Sequence, residues 1–331
     1  MASPTGYEVD LLSHVYAFGD EASNQHDMIF EADFSDTFEI CVRDDFQILA
    51  DHCLDIIESS PTGYALLEYA RAQGYRFGFA QISNNGYMLS GDEKFLYLDI
   101  FNLGAETLNA SQHYQDYIVL NMIRALRDIY FETKMADITR LYRIEDILKV
   151  ERARMADIEA ITAKVAWELR AENEIDHLWR ALIGQEEGDI AIAFWQILDE
   201  HSKALYDGRA VARAFKQWYT CQRRCDAADR ETLDYLDGIL KENPGTNPFG
   251  THKLSENIFE SLYLTINKKR YLAGWGSVIL NDPSYVAMQD VYNQTHLLQL
   301  SQDIQLTVKD NIAFSDPHLA SRLFPKEGRL L

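Results

Sequence analysis

The chain has 331 residues, 47% hydrophobic and 12% aromatic, which is ample for a packed core in one large domain or two. Its 31 Lys and Arg stand against 52 Asp and Glu, a net charge of −21, which disfavours nucleic acid and anionic membrane faces as partners. There is no apolar run of about 18 residues to make a transmembrane helix, and the start, MASPTGYEVDLLSHVYAF, lacks the basic and apolar regions of a secretory signal.

Residues 1–44 carry few helix signals, and the alternation in Thr37-Phe38-Glu39-Ile40-Cys41-Val42 suggests a strand. Apolar residues at helical spacing predict a helix over Asp45–Glu58. Ser60 and Pro61 then suit the cap and first turn of a second helix, Thr62 to Gln73, with Gly74 as its stop. Tyr75–Gln81 and Phe95–Ile100 read as strands, with a turn signal at Asn84-Asn85-Gly86. Helices are expected at 111–133, 136–148, 149–171, 173–183, 188–203, 207–241 and 254–267. Residues 241–251 form the clearest loop, a helix follows at 285–300, and the last fifteen residues, 317–331, look extended. No solenoid repeat and no low-complexity segment is present.

The pattern is α+β, predominantly α-helical: a small β ribbon and a long central helix packed in a helical body. Three parts are expected: an N-terminal arm with the first helix (1–57), a main helical domain (58–241) and a C-terminal extension (242–331). The cysteines are Cys41, Cys53, Cys221 and Cys225, with no CxxC among them. Cys221 and Cys225, placed one turn apart on the expected 207–241 helix, are poorly disposed for a disulfide. Reduced thiols and a cytoplasmic location are the expectation.

Ser60-Pro61-Thr62-Gly63, Ala65-Leu66-Leu67, Gly74, Phe77, Gly86 and Leu96-Tyr97-Leu98-Asp99 precede the long helix. Glu151 to Ala160, Val165 to Arg170, Trp179-Arg180, Asp189 to Ala191 and Asp207-Gly208 come after its start. Over about residues 58–220 this resembles a zincin-like metallopeptidase domain family of unknown function, bacterial and mainly alphaproteobacterial. The resemblance implies a central helix carrying His-Glu-Leu-Arg-His and a later helix supplying an acidic ligand.

Here Leu126-Arg127 fits the middle of that motif. It places Arg124 and Asp128 where the histidines are implied, Ala125 where the glutamate is implied and Met155 where the acidic ligand is implied. Zinc hydrolases use three protein ligands and a water. Arg124 is a permanent cation that cannot ligate; Met155 is a soft, weak donor; Ala125 cannot accept a proton from a metal-bound water. Of the nine histidines, no two are four residues apart, so no other register restores a helical two-histidine site. If Arg124 points inward it needs a carboxylate. Asp128 at i+4 and Asp157 or Glu159 on the next helix are the candidates, with Arg127 nearby, and a salt-bridge cluster is expected in place of a metal.

Other constellations are weaker. Glu174-Ile175-Asp176-His177 is one half of a di-iron motif without its partner half. Asp199-Glu200-His201 reads as a helix end. Trp167, Trp179, Trp195, Trp218 and Tyr219 read as core. Phosphate loops and nucleophile elbows are absent. No cofactor and no metal is expected. The expectation is a catalytically inactive metallopeptidase-like protein, a pseudoenzyme acting as a soluble interaction or regulatory factor with an unidentified protein partner and room for homo-oligomerisation. The alternatives are a zinc-dependent hydrolase with other ligands, such as Asp128, Glu159 and a histidine from elsewhere in the chain, and a structural subunit of a larger bacterial assembly.

Overall fold

The computed structural model describes residues 30–33, 44–82, 86–243, 246–265 and 268–306. A mainly helical body carries a small mixed sheet. The strands are β1 (Phe30–Asp33), β2 (Arg76–Ala80), β3 (Tyr87–Ser90) and β4 (Phe95–Asp99), in the order β1-β2-β4-β3. β1 pairs antiparallel with β2, β2 runs parallel to β4, and β3 runs antiparallel to β4, with Tyr87 opposite Leu98. β4 lies between two strands and is buried along its whole length, which explains its unbroken apolar run. The expected strand at 37–42 lies outside the described residues. β1 and β3 are strands that the pattern did not announce, because four residues are too few for alternation to register.

The helices are α1 (Asp44–Glu58), α2 (Pro61–Ala72), α3 (Ala105–Ala110), α4 (Gln112–Lys134), α5 (Ile138–Leu141), α6 (Ile144–Asn173), α7 (Asp176–Ile183), α8 (Gly188–Glu200), α9 (Ala204–Asp207), α10 (Arg209–Trp218), α11 (Gln222–Glu242), α12 (Glu256–Leu262), α13 (Gly276–Asn281), α14 (Pro283–Val286) and α15 (Val291–Leu306). No helix of the described residues is long and apolar enough to cross a membrane.

α2 begins as its sequence dictates. The Ser60 hydroxyl accepts the Gly63 N–H and Pro61 occupies the first turn. Gly74, at φ +77°, turns the chain into β2. α4 matches its expected span closely.

Elsewhere the boundaries move. The helices expected at 136–148 and 149–171 are a short turn, α5, and one unbroken helix, α6. No glycine or proline interrupts the chain at 148–149. The break falls instead at Tyr142, which bridges His252. The helix expected over 207–241 is divided into α10 and α11. Tyr219 turns inward against Phe215, Trp218 and Tyr285, and Cys221 becomes the extended cap of α11. Cys221 thus precedes α11 as its cap, and Cys225 lies in the first turn with its N–H directed to the Cys221 carbonyl at 3.5 Å. The 254–267 helix shortens to α12, because Leu264 pairs with Arg270. The 285–300 helix starts later, at Val291, where the Asp290 carboxylate accepts the Asn293 N–H. α3, α9, α13 and α14 are additional, and residues 317–331 lie outside the described set.

One apolar cluster runs from Phe46 to Leu280 and takes in α1, α2, β2, β4, α4, α6 and α10. Helix α1 and the chain after the 241–251 loop thus both contribute to it. A second cluster joins Ile144, Ile147 and Leu148 of α6 to Leu233, Leu236 and Leu240 of α11. Each such side chain stabilises the fold by about 1.5–3 kcal/mol. α4 and α6 pack on each other through the middle. α4 is buried even at Asn121, Arg124, Arg127 and Asp128, so those polar groups must find partners inside the protein.

Candidate functional site

Residues three and four apart share a helical face. Asn121, Arg124, Asp128 and Glu132 therefore form one polar stripe on α4, with β3 lying alongside. A Cβ on Gly86 would meet the Asn121 amide at 2.4 Å, and one on Gly91 would meet a Glu132 carboxylate oxygen at 2.7 Å. Small residues at both ends of β3 thus allow its close approach to the stripe.

Arg124 is 8% exposed. Its Nε donates to Glu159 Oε1 at 2.8 Å and its Nη2 to Oε2 at 3.1 Å; Nη2 also donates to Gln185 Oε1 at 2.8 Å and Nη1 to Asn121 Oδ1 at 3.1 Å. Burial works against the guanidinium charge, but Glu159 outweighs it and keeps the pKa above the ordinary arginine value. Arg127 makes a second two-point pair, Nε to Asp157 Oδ2 at 2.5 Å and Nη2 to Oδ1 at 2.9 Å. The Tyr271 hydroxyl donates to the same Asp157, and the Arg127 guanidinium lies 4.4 Å from the Tyr130 ring centre.

Asp128 does not pair with Arg124. It accepts from Arg154 Nε at 2.6 Å and from the Tyr87 hydroxyl at 3.2 Å. Burial, and then Asp128, pushes the Tyr87 phenol well above its ordinary range. Arg154 also donates to Glu151 at 2.8 Å. Burial raises the Glu151 carboxyl, with Arg154 opposing. Glu187 is raised too, by burial and then by Glu159.

The structure therefore brings Arg124 to Glu159, Arg127 to Asp157 and Asp128 to Arg154. Met155 is 37% exposed and Ala125 is buried in the apolar core. Sequence reasoning missed Arg154, Tyr87 and Gln185. Arg154 lies within the Glu151–Ala160 stretch that carries the resemblance, where nothing sets it apart, and Tyr87 follows a turn.

A hydrolytic zinc centre does not fit these residues. The positions hold a guanidinium, a methyl, a carboxylate already bound to Arg154, and an exposed thioether. Among the described residues no group of three or more His, Cys, Asp or Glu side chains could hold a metal ion.

The other singled-out residues have structural surroundings. Glu174 is the left-handed cap of α6 at φ 59°, so it and His177 do not share a helix. His177 Nδ1 lies 2.7 Å from Asp116 Oδ1 of α4. His201 ends α8. Trp167 stacks edge-on with Trp179 and Trp218 is buried, whereas Trp195 is exposed.

Residues 108–260 match the model of a family described as "Putative metallopeptidase family (DUF6782)". Over that stretch, which holds α4 to α11 and the start of α12, the chain is similar to a metallopeptidase domain; the matched region starts after the sheet and extends past residue 220. No curated protein and no solved structure matches the chain.

Proposed function

We propose that this chain is a metallopeptidase-like protein without metallopeptidase chemistry, acting as a binding or regulatory factor. The observation that carries this reading is the two-point pair of Arg124 with Glu159. It stands where the family resemblance implies a metal-ligating imidazole. A guanidinium has five donors, no acceptor and no accessible lone pair, so it repels a cation and cannot bind one.

The neighbouring positions support the same reading. Ala125 offers no proton acceptor for a nucleophilic water. Asp128 has its charge balanced by Arg154, and Met155 is a soft donor. Glu159 and Asp128 would be costly if left buried and uncompensated, and the two arginines supply the compensation. The net charge of −21 favours partners that present positive charge.

The test is hydrolysis of casein and of a quenched-fluorescence peptide mixture by the full chain, with and without added zinc. No turnover above buffer is expected. Turnover abolished by a chelator, and lost in Asp128→Ala and Glu159→Gln, would overturn the proposal.

A further inference from the structure

An open cavity of about 400 Å³ lies where the start of α6, the 250–254 segment, the start of α12 and the end of α13 meet. This is within the size range of small-molecule sites, roughly 300–1,000 Å³. Its frame is fixed by backbone bonds. The Gly250 N–H donates to the Thr139 carbonyl at 2.9 Å, the His252 N–H to the Leu141 carbonyl at 3.1 Å and the Arg143 N–H to the His252 carbonyl at 3.3 Å. Gly250 lies so close to this turn that a Cβ would meet the Leu141 carbonyl carbon at 2.1 Å.

A buried charge is built into the wall. Asp146 is 1% exposed; its Oδ2 accepts from Arg143 Nε at 2.9 Å and from the Leu254 N–H at 3.0 Å, and its Oδ1 accepts from Lys149 Nζ at 3.2 Å. Arg143 answers the Asp146 charge from outside the lining. The Lys149 ammonium has three donors and spends one of them on Asp146, so two are left for a ligand. Lys253 lines the same cavity, and its side chain makes no ion pair among the described residues. Glu256 is the one other acid of the lining. Two ammonium groups therefore share this cavity in a molecule whose net charge of −21 repels anions elsewhere.

The rest of the lining indicates which anion. Leu254 and Leu280 are buried and give the cavity an apolar floor. Asn257 and Asn281 bring side-chain amides, which present both a donor and an acceptor. Asn281 Nδ2 donates to the Ser277 carbonyl at 2.8 Å, leaving its Oδ1 to accept an N–H. Cations, amides and an apolar floor together match the end of a peptide. A phosphate would leave the floor unused and would carry more charge towards Glu256.

We infer that this cavity binds the C-terminal end of a peptide whose last residue is apolar. Lys149 and Lys253 hold the terminal carboxylate, Asn257 and Asn281 the preceding amide, and Leu254 and Leu280 the last side chain. This inference rests on the reading of the chain as a binding protein and deepens it. The two fail separately. Peptide turnover in the hydrolysis assay would overturn that reading whether or not peptide binds here, whereas absent binding without turnover would overturn this inference alone.

The experiment is calorimetric titration of the full chain with acetyl-Gly-Ala-Leu at fixed ionic strength, with its C-terminal amide and inorganic phosphate in parallel arms. Saturable binding of the free acid is expected, with the amide at least tenfold weaker. Lys149→Gln and Lys253→Gln should each weaken the free acid by about tenfold, the size of one charge-assisted hydrogen bond. Lys253 is exposed, so its variant keeps the fold and decides the matter if Lys149→Gln, which touches Asp146, does not. Lys203→Gln removes the same charge from an exposed position before α9 and should bind as the parent does. Absence of saturable binding overturns the inference, as does equal affinity for the amide. Parental affinity in Lys253→Gln, an equal loss in Lys203→Gln, or phosphate binding as tightly as the peptide would overturn it as well.

Discussion

Arg124 of α4 and Glu159 of α6 meet through two parallel hydrogen bonds, with side chains 9% and 12% exposed. One turn further along α4 the polarity reverses: Asp128 supplies the acid and Arg154 of α6 the cation. The two helices are thus fastened by complementary pairs of opposite sense. Such pairs fix register more than they add stability, because each charge loses much of its hydration.

Removing one partner should therefore cost more than removing both. Arg124→Met leaves Glu159 without its cation and should destabilise the fold by about 3–5 kcal/mol. Combining it with Glu159→Met should recover most of that loss. Urea unfolding of the two single variants and the double variant measures the coupling.

The Arg127–Asp157 pair is deeper and more widely tied. Asp157 also accepts from Tyr271, and Arg127 donates to the Leu264 carbonyl at 3.1 Å. Tyr271→Phe should cost about 1–3 kcal/mol, the penalty of a lost buried hydrogen bond to a charged group. Asp157→Asn should cost more, since it strands a buried guanidinium. Thermal unfolding at neutral pH ranks the two.

Glu168 fastens the start of α2. Its carboxylate accepts from the Ser60 hydroxyl at 2.6 Å, the Thr62 N–H at 2.9 Å and the Thr62 hydroxyl at 2.8 Å, and it pairs with buried Lys164. Ser60→Ala removes the cap and one of these bonds, for a loss of about 1–2 kcal/mol. Glu168→Ala strands Lys164 as well and should exceed that loss in the same urea titration.

Asp146 gives a pH signature. Burial pushes its carboxyl up, but Arg143, the Leu254 N–H and Lys149 outweigh this and hold it below its ordinary 3.8. The folded protein thus binds fewer protons here than the unfolded chain. The stabilisation is complete above 3.8 and is lost as pH falls through the lowered folded value. Asp146→Asn should be less stable than the parent at pH 7, and the gap should close below pH 3.8. A series of unfolding midpoints against pH measures this.

The sequence announces what short-range chemistry controls. Ser60, Pro61 and Gly74 mark α2, because a cap, a first-turn proline and a positive-φ stop act locally. α4 is legible from its apolar period. The need of Arg124 for a carboxylate follows from its charge, and Glu159 lies within the expected reach. Long-range partnerships are not legible in the same way. Tyr271 reaches Asp157 across 114 positions, and Arg154 selects Asp128 only once α4 and α6 pack. The break between α10 and α11 also depends on tertiary packing, since Tyr219 turns into the core against Tyr285, a ring far away in the chain.

The central claim, that a guanidinium–carboxylate pair stands in place of a metal centre, is tested most directly by metal analysis. The full chain is produced in zinc-supplemented medium, purified without chelators and assayed by elemental mass spectrometry alongside Arg124→Ala and Asp128→Ala. Zinc far below one ion per chain, unchanged in both variants, is the predicted result. Zinc near one ion per chain, lost on either substitution, would contradict the account.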